Sequence, residues 1–165
     1  MKKDNSIIIG SGVIGSYLAK FLLSKKQKVI VTSRKRKKSY ANYNKLDIEN
    51  KIIFEELDIL KKNEILKLLK KYNPKNIFYF SGQSSLTKSI KLKKVTSDSN
   101  YIGAKKILEI LHKYKLKTNF YKANSGYIFE PKKGLVNIKS KISKNKNPYI
   151  QSQIKAYKEV KTFRK

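Results

Sequence analysis

Cysteine and tryptophan are absent from this chain of 165 residues, and histidine occurs once. Without cysteine there is no disulfide framework, no thiolate metal site and no cysteine nucleophile. A single histidine beside 11 acidic residues also argues against a zinc enzyme, and we expect no metal site. The length is that of one domain, so we treat residues 1–165 as a single unit.

Long hydrophobic runs are missing as well. No apolar stretch approaches the ~18–20 residues that a membrane span requires. The run at residues 6–9 is too short for a signal peptide, and it is followed at once by glycines. We therefore expect a cytoplasmic protein with no membrane partner.

Acidic residues are scarce, and the 40 lysines and arginines leave a net charge of +29. With 11 tyrosines and 7 phenylalanines, such a chain could bind nucleic acid through phosphate contacts and base stacking. The alternative is a compositional bias, because lysine, isoleucine and asparagine all have A/T-rich codons. The lysines are spread along the chain and not gathered in one block. We favour a biased, solvated surface and keep a nucleic-acid-binding protein as the remote alternative.

Short apolar runs alternate with amphipathic stretches along the chain. The runs predict five strands at residues 6–9, 28–32, 52–57, 76–80 and 118–122. Helical spacing predicts helices over residues 14–22, from Asn63 as N-cap to Asn73, from Asp98 onward, and from Pro148. Residues 33–50 read as a long loop. This alternation predicts an α/β fold, a Rossmann-like doubly wound parallel sheet of about five strands.

The segment Gly10-Ser11-Gly12-Val13-Ile14-Gly15 has the pattern G-x-G-x-x-G. It follows a predicted strand and opens a predicted helix, which is the context that indicates dinucleotide binding. Gly10 would permit the tight turn, Gly12 the approach of a pyrophosphate, and Gly15 close packing of helix and strand. The helix N-terminus would bind the phosphates. A glycine-rich turn without a ligand is the alternative.

The segment after the second strand indicates which dinucleotide binds. NAD-specific sites usually carry an acidic residue ~20 residues after the glycine loop, for the ribose 2′-hydroxyl. Here residues 32–38 contain no carboxylate but two of the three arginines of the chain, Arg34 and Arg36. Cations suit the 2′-phosphate of NADP, so we expect NADP, with NAD left open. A solvated basic loop is the alternative.

Several segments, in order along the chain, resemble the extended short-chain dehydrogenase/reductase family, the NAD-dependent epimerases and dehydratases. Within it the GDP-mannose 4,6-dehydratases are most similar. The segments are residues 15–23, Leu57-Asp58-Ile59, Gly82-Gln83-Ser84 with Asn100-Tyr101-Ile102-Gly103, residues 120–125, and Asn147-Pro148-Tyr149. The resemblance implies that Asp58, Ser81 and Gln83 contact the cofactor.

The resemblance also implies a reaction and a catalytic pair. In the family, a tyrosinate takes a proton from the sugar C4 hydroxyl while hydride passes to the nicotinamide. A lysine four residues later stabilises the tyrosinate and holds the ribose, and a serine or threonine hydroxyl positions the sugar. By resemblance Ser125 is that hydroxyl and Tyr149 the acid/base. The implied substrate is a sugar nucleotide such as GDP-mannose, and the implied activity is that of a lyase.

Two positions and the length depart from the family pattern. The lysine position of Tyr-x-x-x-Lys is Gln153, and the position of the glutamate that removes the C5 proton in dehydratases is Tyr127. The chain has about half the usual length, so we expect it to end before the sixth strand, without the substrate-binding part. We therefore expect a truncated homologue with impaired catalysis. The alternative is a non-catalytic cofactor-binding or interaction module, either as a homo-oligomer or with a separate chain that carries the substrate part.

Overall fold

Five parallel strands form the centre of the protein. The computed structural model describes residues 4–34 and 41–164. The strands are β1 (Asn5–Ile9), β2 (Lys28–Ser33), β3 (Ile53–Glu56), β4 (Asn76–Tyr79) and β5 (Asn119–Lys122). They lie side by side in the order β3-β2-β1-β4-β5, and every pairing is parallel. The predicted Rossmann-like sheet is confirmed.

Helices connect the strands. They are α1 (Val13–Ser24), α2 (Ala41–Lys45), α3 (Lys62–Tyr72), α4 (Leu86–Lys91), α5 (Lys93–Ser97), α6 (Gly103–Lys113) and α7 (Pro148–Thr162). A π-helical stretch, Asp98–Ile102, joins α5 to α6, and a 3-10 turn, Gly126–Ile128, follows β5. Within the described ranges, no helix has the length and apolarity that crossing a membrane would demand.

Side chains from both faces of the sheet are buried, because successive strand residues point to opposite faces. On one face, Ile7 and Ile77 pack against the apolar sides of α3 and α6. On the other face, Ile8 and Val31 pack against α1 and Tyr43. The short, continuously apolar strands are therefore explained by helices on both sides.

The segment predicted as a loop, residues 33–50, contains the helix α2. Its Tyr43 is fully buried against the sheet, with its ring edge-on to Phe54 at 5.7 Å between centroids. The five residues of α2 are too few to show a helical periodicity, so burial of a single tyrosine stabilises an element that the pattern does not reveal. Residues 35–40, which include Arg36, lie outside the described residues.

The start of α3 also differs from the prediction. The helix begins at Lys62, and Asn63 lies inside its first turn and does not cap it. The N-cap, Lys61, provides no side-chain hydrogen bond. Instead, Glu64 reaches back and accepts a hydrogen bond from the backbone N–H of Asp58 at 2.9 Å. A first-turn carboxylate also interacts favourably with the helix dipole, which makes the asparagine cap unnecessary.

The strand order creates a crevice at the carboxyl edge of the sheet. From β1 the chain crosses to β2 on one side, whereas β4 pairs with β1 on the other. Connections that leave in opposite directions leave a gap at this switch point, which is where ligands bind in open α/β sheets. The predicted cofactor residues follow β1, β2, β3 and β4, so the fold gathers them at this edge.

Candidate functional site

A cleft of about 700 Å³ lies over the carboxyl ends of the strands. Its lining includes five residues that the sequence predicts as cofactor contacts: Gly10, Gly12, Arg34, Asp58 and Ser81. They come from four separate loops, and the parallel sheet brings them together. The other two predicted contacts, Gly15 and Gln83, are not part of this lining.

Gly10 and Gly15 are required by the packing of the protein itself. Gly10 has φ +107°, and a Cβ there would lie 2.8 Å from the backbone nitrogen of Ser81. A Cβ on Gly15 would lie 2.5 Å from the carbonyl oxygen of Gly10 and 3.3 Å from Cγ2 of Ile8. These two glycines let the turn close and let α1 approach β1.

Gly12 differs from its two neighbours in the motif. It is the N-cap of α1, with φ −71° and ψ −174°, a backbone that any residue can adopt. A Cβ built on it would meet no atom of the described residues within 4 Å. The missing side chain therefore leaves room in the cleft beside the first N–H groups of α1, which have no partner within their helix. This combination suits an anion such as a pyrophosphate.

Asp58 lies on the wall of the cleft, immediately after the third strand. One of its carboxylate oxygens accepts a hydrogen bond from the Leu60 N–H at 2.9 Å, which fixes the turn into α3. The Glu64 carboxylate accepts hydrogen bonds from the Asp58 N–H and from the Lys61 ammonium. These contacts, the first more than the second, hold the pKa of the Glu64 carboxyl below its usual range. In the described part of the chain, no three histidine or acidic side chains are clustered as a metal would require.

The loop after β4 is tied to the π-helical stretch. Asn100 is buried, and its amide donates to the carbonyl of Gln83 at 3.0 Å and to Ser152 Oγ at 3.1 Å. Ser99 Oγ accepts from the Gln83 N–H at 3.2 Å. A Cβ on Gly82 would lie 2.1 Å from Asn100 Oδ1, so the two elements are in close contact. π-helical segments are often found at functional sites, and this one also places Ser99 on the cleft.

Ser125 and Tyr149 lie on elements that pack against each other. Ser125 Oγ accepts from the Tyr127 N–H at 3.3 Å and begins the 3-10 turn after β5. Tyr149 lies in the first turn of α7, whose N-cap Asn147 accepts from the Tyr149 N–H at 2.9 Å. Ile128 of the turn packs against α7 in a common apolar cluster. The two predicted catalytic residues are thus held at adjoining element ends.

A lysine that the sequence analysis does not single out lies beside α7. The ammonium of Lys122, the last residue of β5, donates to Oε1 of Gln153 at 2.9 Å and to the carbonyl of Ala123 at 2.9 Å. Burial lowers the pKa of Lys122 to about 8. Strand alternation could have indicated this lysine, because successive residues point to opposite faces of the sheet. Lys122 therefore lies on the same face as Phe120 and on the opposite face from Tyr121.

The depressed pKa of Lys122 predicts a pH-dependent contribution to stability. The unfolded chain, with a pKa near 10.5, holds this proton more tightly than the folded protein does. Stability should therefore rise with pH between about 8 and 10.5, by about 1 kcal/mol per pH unit. The measurement is urea unfolding of the parent and of Lys122→Met at several pH values. Both proteins contain the other lysines, so the difference between their unfolding free energies isolates the contribution of Lys122. A difference in unfolding free energy that stays constant with pH would contradict the prediction.

The sheet order, the glycine turn and the cleft at the switch point define a Rossmann-type α/β protein. A family model described as GDP-mannose 4,6 dehydratase matches residues 7–165. The chain therefore belongs to the GDP-mannose 4,6 dehydratase family, among the sugar-nucleotide dehydratases and epimerases.

Curated relatives align with most of this chain, but the aligned part is only about a third of each relative's own length. CDP-paratose 2-epimerase of Salmonella typhi is 30% identical over 121 residues, which are 73% of this chain and 36% of that protein. GDP-mannose 4,6-dehydratase of Vibrio cholerae serotype O1 is 29% identical over 140 residues, 78% of this chain and 37% of that one. The chain thus spans about a third of the length of these relatives.

Solved structures of epimerases share the fold. The UDP-Glc/GlcNAc 4-epimerase of Campylobacter jejuni superposes with a TM-score of 0.86 at 17% identity, over 97% of this chain and 49% of that one. The UDP-glucose 4-epimerase of Brucella ovis, solved in complex with NAD, gives a TM-score of 0.82 at 18% identity, over 97% and 47%. This chain corresponds to about half of each structure.

Proposed function

We propose that this chain binds NADP in the cleft and forms the cofactor-binding part of a GDP-mannose 4,6-dehydratase-like protein. The observation that carries the proposal is the open space at Gly12, next to the N-terminus of α1 and inside the cleft. The packing requires the other two glycines of the motif, whereas no described residue requires a glycine at position 12. A ligand with a pyrophosphate accounts for it.

The residues of the cleft suit the parts of a dinucleotide. Gly10, Gly12 and the first N–H groups of α1 would hold the pyrophosphate, and Asp58 would lie beside the adenosine. Arg34 is exposed at the end of β2 and would bind the 2′-phosphate, since guanidinium groups pair well with phosphate oxygens. The bound nicotinamide would supply the hydride chemistry. NAD in place of NADP is the alternative that the titration below distinguishes.

The chain's own residues would position the sugar and move a proton. We propose that Ser125 binds a sugar hydroxyl and that Tyr149 accepts its proton. Tyr127 is 61% exposed and has no carboxylate to accept a second proton from the neighbouring carbon, so elimination of water is not supported. Catalysis in this chain is therefore impaired at the dehydration step. Conversion of GDP-mannose to the 4-keto-6-deoxy sugar at a rate typical of the family would contradict this.

A cofactor-binding module without turnover is the second candidate. Tyr127 and Gln153 favour it, because both replace ionisable groups of the family pattern with neutral ones. In this case residues 1–165 would act as one domain, either as a homo-oligomer or with a separate chain that carries a sugar-nucleotide site. NADPH binding without any turnover of GDP-mannose, together with co-purification of such a chain, would support the module over the enzyme.

The choice of dinucleotide can be tested by removing Arg34. We expect the parent to bind NADPH more tightly than NADH. Arg34→Ala should lose about tenfold or more in NADPH affinity, because a charge-assisted contact to phosphate contributes about 1.5–3 kcal/mol. NADH affinity should change little. The measurement is a titration that follows nicotinamide fluorescence. The matched control is Arg164→Ala, which removes the same charge from an exposed position after α7. Equal affinities of the parent for both dinucleotides would contradict the NADP preference.

A further inference from the structure

Lys122 is held in a setting unlike that of a surface lysine. Its ammonium lies against the carboxamide of Gln153 and the carbonyl of Ala123, with the ring centroid of Tyr79 at 5.8 Å. The six ion pairs seen within the described ranges all use other lysines. The positive charge of Lys122 is therefore held by neutral groups alone.

Such a placement costs stability. Removing an ammonium from water without a carboxylate partner disfavours its charged form, and burial lowers the pKa of Lys122 to about 8. An apolar side chain would fill the same space without this penalty. Groups whose pKa is perturbed by desolvation are common at functional sites.

The geometry directs this charge toward α7. Gln153 is buried and lies four residues after Tyr149, so both residues are on the same side of the helix, one turn apart. The hydrogen bond from Lys122 to Gln153 therefore places the ammonium of a β5 residue against the side chain that lies one helical turn from Tyr149. Lys122 also lies three residues before Ser125 at the same strand end.

A tyrosine that accepts a proton near neutral pH needs a neighbouring cation, which favours the phenolate. On α7, the residue one turn after Tyr149 is the neutral Gln153, at the position where the family pattern has a lysine. The sheet has a lysine that reaches this position. An ammonium also has three N–H donors. Two are used by Gln153 and Ala123, which leaves one for a hydroxyl of a bound ligand.

We propose that Lys122 supplies, from the sheet, the positive charge that Tyr149 lacks on its own helix. Gln153 is the positioning residue that holds the ammonium in place, and the remaining N–H of Lys122 binds a ribose hydroxyl of the dinucleotide. This inference rests on the proposed function. It implies that the charge of the Tyr-x-x-x-Lys pattern is present in this chain but comes from a different element.

The test exchanges the two residues. The variants are Lys122→Gln, Gln153→Lys and the double variant that carries both changes. Two readouts are used: NADPH affinity by fluorescence, and the phenolate fraction of Tyr149 at pH 8, from the tyrosine ring-carbon resonance that Tyr149→Phe removes. Lys155→Gln is the matched control, because it takes the same charge from an exposed position of α7.

We expect Lys122→Gln to lower NADPH affinity by about tenfold and to reduce the phenolate fraction of Tyr149. Gln153→Lys should also lower the affinity, since two ammonium groups would then compete for one place. The double variant should recover both readouts to within about twofold, which a purely structural lysine would not produce. Lys155→Gln should match the parent. Lys122→Arg, which keeps the charge, should retain most of both readouts even where Lys122→Gln folds poorly.

The outcomes separate this inference from the function on which it rests. If the parent binds neither NADPH nor NADH, the proposed function is wrong and the ribose contact fails with it. If the parent binds NADPH but Lys122→Gln matches it in both readouts, only the inference about Lys122 is wrong. A folded double variant that recovers neither readout would overturn the inference in the same way.

Discussion

Gly12→Val is expected to weaken NADPH binding at least about 100-fold while leaving the free energy of unfolding nearly unchanged. The new side chain would enter the space over the N-terminus of α1, where no atom of residues 4–34 or 41–164 lies within 4 Å of a Cβ. It would therefore keep the pyrophosphate away from the backbone N–H groups. Loss of two such charge-assisted hydrogen bonds is worth about 3 kcal/mol or more, which corresponds to the expected factor.

The folded state should tolerate this valine because Gly12 has an ordinary extended backbone conformation. The measurements are fluorescence titration with NADPH and urea unfolding of the same preparation. Ser24→Val is the control, since it places the same side chain at an exposed position of the same helix without changing the charge. A Gly12→Val protein that binds NADPH like the parent would support the alternative of a glycine turn without a ligand.

Gly15→Val, three residues further on, is expected to have the opposite effect. Here a Cβ would lie 2.5 Å from the Gly10 carbonyl oxygen, which is backbone and cannot move aside cheaply. Ile8, on the strand below, is also within 3.3 Å of it. Overpacking of this kind costs about 3 kcal/mol, a large part of the total stability of a domain.

Urea unfolding measures this loss directly as a shift in the midpoint at constant slope. NADPH should bind the folded fraction of Gly15→Val more tightly than it binds Gly12→Val, because a Cβ at Gly15 faces the packed side chains of Ile8 and Tyr43 and not open space. Gly15→Ala should show a smaller loss in the same direction. An unfolding free energy of Gly15→Val equal to that of the parent would mean that α1 does not pack on β1 as closely as described.

Much of the fold follows from local patterns. The five strands were predicted to within one residue of their observed bounds. The pattern is clearest in β1 and β2, which are short apolar runs that the two helix layers bury. The helix after the glycine turn was predicted over residues 14–22, but its buried residues are Gly15, Ser16, Ala19 and Leu22, while Ile14 and Phe21 are exposed. The helix α2 was missed, since it is five residues long and depends on burial of Tyr43. Its stability comes from the sheet beneath it, which no local window contains.

The candidate site divides in the same way. The glycine motif could be found because its three positions lie within one turn, where spacing and context carry the information. The roles of these glycines could not be separated by spacing, since they depend on what lies opposite each Cβ. The structure distinguishes them. The backbone of Ser81 lies against Gly10, which therefore serves packing, whereas the described residues leave open space at Gly12 for a ligand.

The absence of a lysine at position 153 is a property of the sequence, and alone it implies a helix without its cation. The structure adds that Lys122 reaches Gln153 from a strand 31 residues earlier. A spacing rule within one helix cannot represent a contact between a strand and a helix, because that contact depends on how α7 packs on β5. Composition and periodicity thus determined the fold class, the dinucleotide motif and the departures from the family pattern. Tertiary packing decided which glycine leaves a space and where the half-buried positive charge of Lys122 is placed.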